Sequence, residues 1–142
     1  MGRVMAKVKL TNQTDVDNKQ RGLISPERVR TVEVEGLVDT GATSLVIPAQ
    51  IAIALGLSEI EQRTVRYADG RRAKRSVVGP LQIEILGRKM VGEAVMEPMG
   101  TQVLIGQIPL EALDLIVDPS TRDVQKNPRS PDLAQNDLLG AA

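Results

Sequence analysis

The chain has 142 residues, the length of one domain with a modest core, and its 18 basic and 18 acidic residues cancel, which excludes a whole-protein field that would draw it to nucleic acid or an anionic membrane. It contains no Cys and no His, which excludes disulfides, thiolate nucleophiles, Cys-based zinc sites, a Ser-His-Asp triad and the usual imidazole base. Any catalysis must therefore rest on carboxylates, Lys, Tyr, hydroxyls or a hard metal, and with Tyr67 the one aromatic residue the core must be built from Val, Ile, Leu, Met and Ala.

In chain order, Ala6, Val8 and Leu10 alternate with Lys7 and Lys9, as in a half-buried strand. The polar segment Thr11 to Arg21 reads as a surface loop, and Ser25-Pro26-Glu27 as the start of a short helical turn. Thr31 to Val38 alternates again, with Val32, Val34 and Val38 on one face, and this strand delivers Asp39 at its end. Ser44 to Ile47 is a short strand, after which Pro48 opens a brief helix through Ile51 to Leu55 that Gly56 caps.

Thr64 to Tyr67 and Arg72 to Val78 flank Asp69-Gly70, a strong short-range hairpin signal. Gly79-Pro80 predicts a bend into Leu81 to Leu86, and Gly87-Arg88 a turn into a strand over Lys89 to Glu97. Val103 to Ile105 is an apolar run suited to a buried central strand, ended by Gly106. Pro109 to Leu113 then forms a short helix and Leu115 to Val117 a last core strand. From Gln125 onward the composition turns to Asn, Pro, Ser, Asp and Gln, the pattern of a tail that wraps loosely or stays disordered. Many short strands with one or two short helices make the chain all-β, a barrel or sandwich.

Within this frame Asp39-Thr40-Gly41-Ala42 and, after the hairpin, Leu104-Ile105-Gly106 stand in an order that resembles the retropepsin-like aspartic proteases, the single-domain half of the aspartic protease family, and especially small bacterial members with a Pro- and Asn-containing tail. The resemblance covers about Thr31 to Val124. It implies a closed β-barrel of the acid protease fold over residues 1–124, with 125–142 as the tail, and an aspartic endopeptidase that needs no cofactor and no metal. It assigns Asp39 as catalytic, Thr40, Gly41, Ala42 and Thr43 as the active-site loop, Tyr67, Ala68, Asp69 and Gly70 as a flap, and Leu104, Ile105 and Gly106 as the second signature element.

One chain supplies one such Asp, so the resemblance implies a C2 homodimer in which two copies of Asp39 meet and hydrolyse an extended peptide or protein substrate. Viral members carry an Asp after Asp-Thr-Gly-Ala and pair it with an Arg after the second element; here Thr43 and Gln107 stand in those places. The alternative is a catalytically weak peptide-binding or dimerisation module. The basic residues around the hairpin, Arg63, Arg66, Arg71, Arg72, Lys74 and Arg75, read as a solvated strand edge, with no nucleic acid as partner. Met1 to Leu10 lacks the apolar run of a secretory signal, and Leu45 to Leu57 is broken by Pro48 and Gln50 and too short to cross a bilayer, so the expectation is a cytoplasmic protein with no membrane partner.

Overall fold

In the computed structural model, which describes residues 3–138, the alternating segments assemble into a sheet that closes on itself. Strand β1 (Met5–Asn12) pairs antiparallel with β2 (Thr31–Val38), placing Val8 opposite Val34 and Leu10 opposite Val32. On its other edge β2 runs parallel to the two-residue β7 (Leu104–Ile105), which is antiparallel to β3 (Leu45–Pro48). β3 lies parallel to β6 (Arg88–Glu97), and β6 antiparallel to the long β5 (Arg72–Ile85). The second half of β5 returns to β1, with Leu10 opposite Ile83, which completes the ring. Its first half pairs with β4 (Ser58–Arg66), forming the hairpin that Asp69-Gly70 signals.

Closure puts one side of each strand of the ring inside, while β4 stays almost wholly exposed. Val8, Leu10, Leu45, Ile47, Leu81, Ile83, Ile85 and Ile105 are all at most 1% exposed and form one cluster, so the fold is held chiefly by burial of aliphatic side chains. Helix α2 (Ala49–Leu55) plugs the ring with Ala52 and Leu55, Pro48 serving as its N-cap and Gly56 as its left-handed C-cap. Helix α3 (Gln107–Ala112) covers it with Leu110, and Leu113 is buried just beyond. β8 (Leu115–Asp118) and β9 (Asp123–Lys126) form a separate hairpin. The all-β expectation stands, and the bend expected at Gly79-Pro80 is a register irregularity within one continuous strand.

Among the described residues there are three α-helices and one 3-10 turn (Pro26–Arg28), one helix more than the one or two expected. The added element is α1 (Gln13–Gln20), lying where the polar composition suggested a loop. It has no apolar stripe, and what makes it helical is polar. The Asn12 side chain caps it by accepting from the Asp15 N–H at 3.0 Å, and donates to the carbonyl of Leu55 at 2.8 Å, tying α1 to the end of α2. Asp15, buried, accepts from the Arg30 backbone N–H (3.0 Å), Nε (2.9 Å) and a terminal nitrogen (3.0 Å). That bidentate pair holds the Asp15 carboxyl below its ordinary range.

Asp15→Asn is expected to destabilise the fold by about 1–2 kcal/mol, a value reduced because the Arg30 side chain is half exposed. A carboxyl held low in the folded state stabilises above its unfolded pKa and loses that contribution as pH falls. The gap between the melting temperatures of wild type and variant should therefore be full at pH 7 and close progressively below about pH 3.9. A gap that stayed constant down to pH 2 would refute the ion pair as its cause.

The tail is fastened over its described part. Arg88, buried, donates to the carbonyls of Leu113 (3.2 Å), Asp114 (2.9 Å) and Ser130. Asp114 accepts from Ser130 Oγ, from Asn127 Nδ2 at 2.9 Å and from the Gln135 N–H at 3.0 Å. These donors lower its carboxyl below the usual range, the Ser130 hydroxyl first. Of the two behaviours that the composition allowed, wrapping is the one found through Gln135.

Candidate active site

Asp39 leaves the end of β2, and the chain crosses over β7 before returning as β3 on β7's other side. The crossing loop, residues 39–44, is pinned from both ends. The Asp39 N–H donates to the Ile105 carbonyl at 3.0 Å, and the Ala42 N–H turns back to the Asp39 carbonyl at 3.0 Å. The Gln107 N–H reaches the Ala42 carbonyl at 2.8 Å and the Ile108 N–H that of Thr43 at 2.9 Å. The first turn of α3 thus holds the loop that carries Asp39.

Gly106 explains why the two sequence elements need each other. A Cβ at that position would stand 2.4 Å from the Ser44 carbonyl oxygen, 2.7 Å from that of Ala42 and 2.8 Å from the Thr43 carbonyl carbon, all of them backbone. Only a residue without a side chain lets β7 pass directly beneath the loop. Leu104 and Ile105 supply the rung that the loop straddles, with Ile105 buried and Leu104 reaching the cleft above.

Asp39 is half-buried and lines a cleft of about 520 Å³. Its Oδ1 accepts the Gly41 N–H at 3.0 Å, which orients the carboxylate. Thr40 and Thr43 are exposed on the same loop. Tyr67 and Ala68 from the β4–β5 hairpin tip line the same cleft, with Val46, Val95 and Leu104 of the ring and Arg63, Val65 and Arg66 of β4. Of the expected hairpin residues, Asp69 and Gly70 form the turn itself. Asp69 accepts from the Arg71 N–H and Nε, and Gly70 adopts a φ of 89°.

Glu97, at the end of β6, is a cleft residue that sequence reasoning missed. Its carboxylate accepts the Tyr67 hydroxyl at 2.8 and 2.9 Å and the Arg75 Nε at 2.5 Å, and its side chain is only 14% exposed. Burial, then the Glu97 hydrogen bond, raises the Tyr67 phenol above its ordinary pKa. The alternation of β6 places Glu97 on the same face as Val95, but nothing local links it to a tyrosine thirty residues earlier.

Asp39 and Glu97 are the two carboxylates that line the cleft, and Glu97 is committed to Tyr67 and Arg75. Into its cleft each chain therefore presents one carboxylate, Asp39, without a cationic partner among the described side chains. Thr43 and Gln107, in the places where viral members carry an ion pair, are not joined through their side chains. The Gln107 amide donates instead to Glu111 one turn along α3, at 2.9 Å.

No curated protein matches the sequence significantly. A family model does, the one described as gag-polyprotein putative aspartyl protease, over residues 27–112. That span runs from the turn before β2 to the end of α3, more than half of the chain, and takes in the Asp39 loop, the hairpin and the strand beneath the loop; the chain belongs to this retropepsin-like aspartyl protease family.

Proposed function

We propose that the protein is a homodimeric aspartic endopeptidase whose site forms when two copies of Asp39 face one another across a two-fold axis. The observation that carries this reading is that the Asp39 loop leaves its carboxylate open to the cleft, oriented by the Gly41 N–H among aliphatic side chains, with no second free carboxylate among the described residues that line that cleft. Two carboxylates brought close cannot both ionise, so the pair shares one proton and titrates as a unit. The ionised member takes a proton from water as the water attacks the peptide carbonyl, and the protonated member donates to the carbonyl oxygen. In this reading Thr40, exposed beside Asp39, hydrogen-bonds across the axis, and the hairpin tip, which lines the cleft, serves as the flap that closes on an extended peptide.

β1 is paired on both edges within the ring, with β2 and with β5, so in this reading the contact rests on the Asp39 loops and their surroundings. The second reading, a peptide-binding module without turnover, draws on the Thr43 and Gln107 side chains, which supply no charge to tie loop to helix.

Sedimentation together with cleavage of a diverse peptide library separates the two. The proposal expects a dimer, cleavage beside aliphatic side chains at mildly acidic pH, and inhibition by a transition-state analogue of aspartic proteases. A strict monomer at high concentration that cleaves nothing would overturn it.

A further inference from the structure

We propose that Glu97 is the positioning residue of the hairpin: clamped by Arg75, it holds the Tyr67 phenol and so sets the height of the hairpin tip over Asp39. The inference rests on the endopeptidase reading for its kinetic consequence, but its geometry is independent of that reading. Both Glu97 oxygens accept the same hydroxyl, at 2.8 and 2.9 Å, and Arg75 Nε reaches Oε1 at 2.5 Å. The guanidinium of Arg71 lies 4.8 Å from the Tyr67 ring centroid and that of Arg75 6.0 Å, so two cations stand within cation–π reach of the ring.

Tyr67 stands at the base of the tip, where its N–H donates to the Arg71 carbonyl and its own carbonyl accepts from the Gly70 N–H. Fixing the ring therefore fixes the turn. β6, which carries Glu97, belongs to the closed ring and pairs with β3, whereas the tip lies beyond the first β5–β6 pair, Val77 with Val95, where β5 pairs with β4 alone. The anchor is thus on a rigid element and the anchored segment on a hairpin end, the arrangement expected of a latch rather than of ordinary surface pairing. Tyr67 and Glu97 both line the cleft, so a displaced ring changes the wall that a substrate would meet.

The chain offers a direct probe. It has no Trp and Tyr67 is its single Tyr, so all intrinsic fluorescence comes from the latch, where a phenol donating to a carboxylate emits weakly. In Glu97→Ala, emission should rise severalfold, and the Tyr67 absorbance titration should move down from its raised position toward about 10. Tryptic cleavage after Arg71 or Arg72 should quicken about tenfold or more, and KM for a cleaved peptide should rise by a similar factor with kcat within about twofold. Tyr67→Phe, which keeps the ring and removes the donor, should reproduce the tryptic and KM effects, guarding against a folding defect in the first variant.

Unchanged emission, titration and tip cleavage in Glu97→Ala would overturn the latch, as would a fall in kcat with KM unmoved. Should the wild type cleave no peptide, the endopeptidase reading fails, while fluorescence and tip cleavage still decide the latch.

Discussion

Replacing Asp39 by Asn is expected to lower peptide cleavage by about 10³-fold or more while leaving the fold and the dimer in place. The amide is the same size as the carboxylate and can still accept the Gly41 N–H through its oxygen, so the loop loses no packing and keeps its orienting bond. What it cannot do is hold or release the proton that the proposed pair would share. A side chain that cannot ionise removes both the base that activates water and, in the partner role, the acid that protonates the carbonyl oxygen. A steady-state assay on wild type and variant, with sedimentation run in parallel, checks this. Cleavage by Asp39→Asn within tenfold of wild type would end the dyad reading.

The second large effect is expected at Gly106. Alanine there forces a methyl against three backbone atoms, the nearest at 2.4 Å, and backbone cannot rotate away as a side chain can. Either β7 or the Asp39 loop must shift. Overpacking of this kind costs about 1–3 kcal/mol, a sizeable part of a stability of about 5–15 kcal/mol. The larger loss should appear in activity, because the loop that yields is the one carrying Asp39, and a misplacement of about 1 Å costs on the order of 10²-fold. Thermal melting and kcat/KM measured on Gly106→Ala test both parts. Wild-type stability with wild-type activity would show that the close approach of strand and loop does not govern the site.

These two residues also show how the site is divided along the chain. Asp39 and Gly106 are far apart in sequence, and the reason each is needed lies in the other's loop or strand. The order of Asp39-Thr40-Gly41 and Leu104-Ile105-Gly106 carries the family, but the steric reason for it becomes visible only when β7 is seen between β2 and β3. Glu97 is a harder case. As the last residue of a strand it reads as an ordinary exposed acid, and only the fold of β5 against β6 brings it to Tyr67 and Arg75.

The same division runs through the fold. Where burial on one face imposes a period of two, the residue pattern by itself determined β2 to the residue and β1 over Ala6 to Leu10, while Thr11 and Asn12, read as the start of a loop, extend that strand. Turn chemistry did the same at Asp69-Gly70 and at Gly56, where the backbone conformation demands these residue types. Helix α1 lay beyond such reasoning, because its stability comes from Asn12 bonding to Leu55 and from Asp15 bonding to Arg30, contacts between segments rather than a pattern within one. β9 and the bonds of the tail escaped for the same reason, β9 being held by its pairing with β8 and the tail by Asp114 and Arg88. Sequence alone determined that this is an all-β chain carrying one Asp-Thr-Gly loop. Tertiary structure decided what surrounds that loop, because hydrophobic periodicity is local to a strand while polar clamps are made between distant ones.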